Sequence, residues 1–240
     1  MSDSAKRQIA EYIAEQVSDG ALLGLGSGST TELAIEAIGA RIQNESLRVS
    51  GLPTSMRTAS LAAKLGIQIL HPAEFQTGAK KLDWGFDGAD AVDPELNLIK
   101  GRGAAMLSEK VVAKRCKTWK ILVTESKLYA SLGGMSVPIE VIPEALDLVH
   151  EELGLLGGYD IQQRTAEKKY GPVITEHGNV IVDACFKEVS SSLEAQIKQI
   201  VGVVESGLFT GFNPEVIISD GSSKLKIQRI EANGLTTTEL

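Results

Sequence analysis

Cysteine, histidine, aromatic side chains and excess positive charge are all scarce in this chain, and each scarcity closes off a class of chemistry. Of 240 residues only 2 are cysteine, Cys116 and Cys185. They form neither a CxxC pair nor a disulfide framework, which points to a reducing compartment and to thiols that serve as small buried hydrophobes. The 3 histidines, His71, His150 and His177, lie far apart and none has a neighbour at ligand spacing, so no metal is expected. Aromatics make up 5%, and Trp84 and Trp119 read as packing residues beside strands rather than base-stacking platforms. Lys and Arg number 24 against 31 Asp and Glu, a net charge of −7. No general field therefore exists for nucleic acid or an anionic membrane, and an anionic ligand must be caught locally. No apolar run approaches the ~18 residues of a membrane span, and the N-terminus lacks the apolar core of a secretory signal. A cytoplasmic protein is expected.

What is present is ordinary globular material, 43% apolar, enough for one large domain carrying a smaller one. Ile9, Ile13 and Val17, with Ala10 and Ala14, give one buried face to a helix over 4–17, ended by Asp19-Gly20. An apolar run from Ala21 to Leu25 leads through a glycine-rich loop into a helical pattern at Leu33, Ile35, Ile38 and Ile42. The alternation continues with a strand at 47–50, a helix at 56–65 and strands at 67–70 and 82–86. A helix at 104–114 and a strand at 121–123 follow. Such alternation predicts an α/β fold with a doubly wound, mostly parallel, Rossmann-like sheet.

From Val137 the rhythm changes. A strand at 137–142, a helix at 143–155, a hairpin of 173–174 with 180–182, a helix at 193–200 and a strand at 203–209 give β-α-β-β-α-β. That order predicts a smaller α+β domain of the split βαβ, ferredoxin-like type. The expected division is residues 1–136 with 210–240 as the catalytic domain and 137–209 as the small one. Val216 to Ile218 should return to the first sheet, and 236–240 should fray.

Three stretches follow strand signals, where open α/β sheets bind ligands. The first is Gly24-Leu25-Gly26-Ser27-Gly28-Ser29-Thr30, whose amides and hydroxyls at a helix start make an anion site or, more simply, a tight turn capped by Ser29 or Thr30. It is not a dinucleotide GxGxxG, since Ser29 stands where the third glycine belongs, and no Walker lysine follows. The second is Asp87-Gly88-Ala89-Asp90, two carboxylates in one turn, suited to proton transfer or simply to Asx hydrogen bonds. The third, Lys100-Gly101-Arg102-Gly103-Ala104-Ala105, brings a cation and exposed amides to the start of a helix carrying Glu109. No GxSxG occurs, and neither cysteine has the setting of a nucleophile.

Together these stretches resemble the type A ribose-5-phosphate isomerases. The likeness extends through Pro53-Thr54-Ser55, Glu125-Ser126-Lys127, Val137 to Pro143, Asp183 and Gly207-Leu208-Phe209. It implies interconversion of ribose 5-phosphate and ribulose 5-phosphate in the pentose phosphate pathway, through an enediolate, without metal or organic cofactor. It also implies a homo-oligomer, dimer or tetramer, assembled with help from the smaller domain. Glu109 falls on the family's proton acceptor. Lys100 is then the oxyanion stabiliser, and Asp87 and Asp90 handle hydroxyl protons. Substrate-binding positions carry over to Ser27, Gly28, Ser29, Thr30, Gly88, Ala89, Gly101, Arg102, Gly103 and Lys127, with Lys6 a further candidate at the phosphate. Arg102 replaces a frequent glycine, and Thr124 stands where an aspartate often precedes the Ser-Lys pair. Two other readings remain at this point: a non-catalytic phosphosugar sensor, and an isomerase of a different sugar phosphate on the same scaffold.

Overall fold

The four-residue spacing of Ile9 and Ile13 is realised as one helical face, with Ala5, Ala10 and Ala14 buried beside them. The computed structural model describes residues 3–75, 81–222 and 224–240. In chain order it runs α1 (Asp3–Glu15), β1 (Leu22–Leu25), α2 (Ser29–Glu45), β2 (Ser50–Pro53), α3 (Met56–Lys64), β3 (Gln68–Ile69) and β4 (Trp84–Gly88). Then come β5 (Ala91–Val92), β6 (Leu98–Ile99), α4 (Met106–Arg115), β7 (Trp119–Thr124), β8 (Ser136–Val141), α5 (Leu146–Leu155) and β9 (Tyr159–Gln163). The chain ends with β10 (Val180–Cys185), α6 (Ser191–Gln199), β11 (Val203–Ser206), β12 (Leu208–Phe209), β13 (Glu215–Ser219), β14 (Leu225–Glu231) and β15 (Gly234–Glu239).

These elements form two compact units. The first comprises 1–89, 108–128 and 213–240; the second comprises 90–107 and 129–212. The expected boundaries differ: 90–107, 129–136 and 210–212 go with the second unit. The physical reason is pairing within that unit. Leu208 and Phe209 pair with Ile99 and Leu98, the Lys100 amide donates to Gly207 O at 2.9 Å, and the Tyr129 amide donates to Val92 O at 2.9 Å.

The first unit holds an eight-stranded sheet ordered β15-β14-β13-β7-β4-β1-β2-β3. Six of these strands, β13 through β3, are parallel. Their order is the doubly wound one, with the switch of direction between β1 and β4. Central strands need apolar residues on both faces, hence the near-continuous burial of β1 and β4. Gly24 and Gly85 leave a flat patch on those two strands: a Cβ on Gly24 would lie 2.7 Å from Val112 and 2.9 Å from Cys116, and one on Gly85 2.6 Å from Cys116. That patch lets α4 seat directly on the sheet. Burial there pushes the Cys116 thiol up to about 12, so it is chemically quiet.

Lys120 on β7, Glu215 on β13 and Arg229 on β14 join across three neighbouring strands, with contacts of 2.6 Å from Lys120 and 2.8 Å from Arg229 to the carboxylate. Partial burial alone would raise the Glu215 pKa, but hydrogen bonds from Arg229 and Lys120 outweigh it and hold the carboxyl below its ordinary value. A lowered folded-state pKa gives stability that is present above the unfolded value, about 4.3, and is lost as pH falls through the folded one. Glu215→Gln should therefore lower stability by about 1.5–3 kcal/mol at pH 7. Urea unfolding from pH 7 down to pH 3 should show the wild-type advantage shrinking.

The second unit carries a four-stranded antiparallel sheet ordered β11-β8-β10-β9, which in chain order is 4-1-3-2, the split βαβ arrangement. A three-stranded sheet, β12-β6-β5, accompanies it. Four local expectations are corrected. The partner of β10 is β9, not 173–174; Ile174 makes only an isolated bridge to Val180. β9 is an exposed edge strand, so it carries no apolar run to betray it. The expected strand over 203–209 breaks at Gly207, where a Cβ would stand 2.2 Å from Lys100 O, and its two halves pair in different sheets. The strand expected at 47–50 lies at 50–53, where Ser50 to Pro53 pair in parallel register with Leu22 to Leu25 of β1. Residues 236–240, expected to fray, belong largely to β15, which closes a hairpin on β14.

Candidate active site

In the first unit the glycine-rich loop leaves the carboxyl end of β1 at the switch point. The Gly26 amide donates to Phe86 O at 2.8 Å, and the Ser27 amide donates to Asp87 Oδ1 at 3.1 Å. Asp87, one residue before the end of β4, is 0% exposed, and its Oδ1 also accepts from the Gly88 amide at 2.8 Å. The first carboxylate of Asp87-Gly88-Ala89-Asp90 thus lies directly against the glycine-rich loop. Gly28, at φ 125°, is the N-cap of α2, with no side-chain capping bond. The expectation that Ser29 or Thr30 caps the helix is corrected, since both lie inside it. Ser29 instead accepts a hydrogen bond from Lys6 Nζ at 2.8 Å. Lys6 was named for this spot, and the geometry puts its ammonium at the start of α2, where an anion gains most from amides and dipole.

A hydroxyl relay lines the other side of Ser27. Its Oγ donates to Ser55 Oγ at 2.7 Å, Ser55 donates to Thr58 Oγ1 at 3.0 Å, and Thr58 donates to Gly26 O at 3.0 Å. Thr54 is hydrogen-bonded to Ser27 Oγ at 2.8 Å. Neither composition nor spacing assigns Thr54, Ser55 and Thr58 a role. The signal that would have found them is the hydroxyl run at the end of β2, the same position after a strand as the other loops.

Glu109 lies in the first turn of α4 and is 5% exposed. Val112, three residues on and so on the same helix face, packs against the position of Gly24. α4 connects onward to β7, parallel to β4, so it runs back across the sheet. Val112 and Cys116 lie over Gly24 and Gly85, and Glu109, nearly a turn before Val112, lies on the carboxyl-edge side of that contact. Lys127 completes a single 3₁₀ turn, Glu125–Lys127, directly after β7. Ser27 to Thr30, Asp87, Glu109 and Lys127 therefore all belong to the strand-end side of this one unit.

The second unit holds Asp90, Lys100, Gly101, Arg102 and Gly103. The Asp90 amide donates to Ile99 O at 2.8 Å, and Asp90 Oδ2 accepts from the Arg102 amide at 3.2 Å. The Arg102 guanidinium is exposed, with Nε 3.8 Å from Asp90 Oδ1. Lys100 is only 3% exposed, with Nζ 5.6 Å from the centre of the Phe209 ring, a cation held against an aromatic face. Among the described residues, no group of three or more His, Cys, Asp or Glu is arranged to hold a metal ion.

Residues 50–223 match the family model of ribose 5-phosphate isomerase A (phosphoriboisomerase A). The ribose-5-phosphate isomerase A of Methanothermobacter thermautotrophicus is 41% identical over 226 residues, 93% of this chain and 97% of that protein. The solved structure of ribose 5-phosphate isomerase A from Methanocaldococcus jannaschii superposes with a TM-score of 0.84 at 36% identity, covering 98% of both chains. A D-ribose-5-phosphate isomerase solved in complex with phospho-erythronic acid gives 0.84 at 35% identity, covering 98% of this chain and 97% of that one. With a phosphate-type loop tied to a buried aspartate at the switch point and relatives matched along nearly their whole length, this chain belongs to the ribose 5-phosphate isomerase A family.

Proposed function

We propose that this protein interconverts D-ribose 5-phosphate and D-ribulose 5-phosphate through an enediolate, with Glu109 as the base. The observation that carries the site assignment is the bond between the Ser27 amide and buried Asp87. It ties the anion-binding loop to the carboxylate turn. In the aldose-to-ketose direction, Glu109 takes the proton from C2 of the open-chain sugar. The C2–H electron pair forms the C1–C2 double bond, and the carbonyl pair moves onto O1. Lys100 stabilises the negative O1. Glu109 returns the proton to C1, while the O2 hydroxyl proton passes to O1 by way of Asp87 or Asp90, leaving the C2 carbonyl. These steps need no group from outside the chain beyond the substrate.

The phosphate is assigned to the start of α2, with Ser29, Thr30, Lys6 and Lys127 around it; Ser27, Gly28, Gly88, Ala89 and Gly101 to Gly103 hold the sugar. Charge-assisted contacts of this kind are worth about 1.5–3 kcal/mol each. Lys127→Ala should accordingly raise KM by roughly 10- to 100-fold with little change in kcat, and an unchanged KM would remove Lys127 from the phosphate site. The direct test incubates the purified protein with ribose 5-phosphate and follows ketose absorbance, with ribose and other pentose phosphates as controls. Turnover of ribose 5-phosphate alone supports the reading. Equal turnover of another pentose phosphate would shift the substrate, and none at all would favour a sensor. A homo-oligomer and a cytoplasmic location belong to the same reading, and light scattering on the purified protein tests the first. No described helix is long and apolar enough to cross a membrane.

A further inference from the structure

The Lys100 to Ala104 loop uses backbone conformations that need support. Gly101 has φ 102° and Ala104, which bears a side chain, has φ 57°. A left-handed conformation at a non-glycine residue is held only where surrounding contacts over-determine it. One side chain supplies much of that support. Arg164 Nη1 donates to Gly101 O at 2.8 Å and to Arg102 O at 3.1 Å. The rest of its guanidinium is locked by a fork onto Asp183, with Nε donating to Oδ2 at 2.7 Å and Nη2 to Oδ1 at 2.5 Å. The Arg164 backbone is fixed as well, its amide donating to Ile181 O at 2.8 Å and its carbonyl accepting from the Val173 amide at 2.9 Å. The arginine and aspartate side chains are 17% and 25% exposed.

We infer that Arg164, oriented by Asp183, is a positioning residue that sets the direction of the Lys100 to Gly103 peptide groups. A trans peptide points its carbonyl and the following amide in opposite directions. Drawing the Gly101 and Arg102 carbonyls to Arg164 therefore turns the Arg102 and Gly103 amides to the other face of the loop. The Arg102 amide accordingly meets Asp90. The Gly103 amide is turned the same way, as a hydrogen-bond donor for a sugar oxygen. Lysine cannot do this work, because a single ammonium cannot span a carboxylate and two carbonyls in one plane. The inference rests on the proposed function only in taking this loop as the sugar-binding one.

The test compares Arg164→Gln, Arg164→Lys and Asp183→Asn in the full-length protein, by steady-state kinetics on ribose 5-phosphate and by hydrogen–deuterium exchange of the peptide covering 100–105. Arg164→Gln should lower kcat by roughly 10- to 100-fold while KM moves less than about threefold, as for a misplaced rather than a missing contact. Arg164→Lys should stay near the glutamine variant, and Asp183→Asn should show a smaller loss of the same kind. Exchange at the Ala104 amide, bonded to Gly101 O at 3.0 Å, should quicken in all three. Added guanidinium at millimolar levels should restore part of the glutamine variant's kcat. A wild-type rate and unaltered loop exchange in Arg164→Gln, or full recovery by lysine, would overturn the inference. If Arg164→Gln fails to fold, Asp183→Asn decides, since it releases the fork and keeps the arginine. A wild type inactive on ribose 5-phosphate would defeat the substrate reading, and loop exchange would still decide the clamp.

Discussion

Glu109→Gln should lower kcat by about 10²- to 10⁴-fold with KM for ribose 5-phosphate nearly unchanged. Glutamine keeps the shape and most of the hydrogen bonding of glutamate and removes only its basicity, so the deficit reports proton transfer alone. Burial of Glu109 at 5% exposure excludes most of the water that would otherwise compete for its carboxylate. The check is twofold. Stopped assays give the rate, and incubation in deuterated water followed by mass analysis gives exchange at C2. A variant that keeps both near-normal turnover and C2 exchange would show that another group is the base.

Gly26→Ala is expected to damage both stability and catalysis. A Cβ there would stand 2.4 Å from Asp87 Cγ and Oδ1 and 2.5 Å from Phe86 O. The last of these is backbone in a central strand, so no rotamer change relieves it. Overpacking of this kind costs about 1–3 kcal/mol. Displacing Asp87 and the Ser27 amide bonded to it by a fraction of an ångström should lower kcat/KM by roughly 10²-fold. Gly154→Ala, in α5, is the control, because a Cβ on Gly154 meets nothing closer than Ile161 at 4.0 Å. If Gly26→Ala retained wild-type kinetics and melting, the close approach of loop and aspartate would not matter to catalysis.

The large sheet was legible because buried parallel strands carry their signal in composition: Leu22 to Leu25 and Trp119 to Thr124 are apolar almost throughout. Strands at the edges were not. Tyr159 to Gln163 is mostly exposed and polar, and its place beside β10 is set by pairing across the small sheet rather than by its own residues. Likewise Gly234 to Glu239 looks like a loose polar tail until β14 is there to pair with it. The chemistry-bearing loops were legible for a different reason. Glycines, hydroxyls and carboxylates bunched after strands are local features, and the Ser27 bond to Asp87 joins two such bunches. Arg164 left no trace of this sort, since a lone arginine in a polar stretch acquires meaning only when the fold brings Asp183 and the Gly101 carbonyl to it.

The position of β13 has a consequence for synthesis of the protein. It lies between β7 and β14, yet it is made long after β7. While the intervening residues 125–214 are added, at about 5–20 residues per second, the far side of β7 has no neighbouring strand for roughly 5–20 s. An uncovered apolar edge of that kind is a template for pairing with other chains. The nascent chain should therefore depend most on ribosome-bound chaperones during that interval, and truncations ending before residue 215 should aggregate where the full-length chain does not.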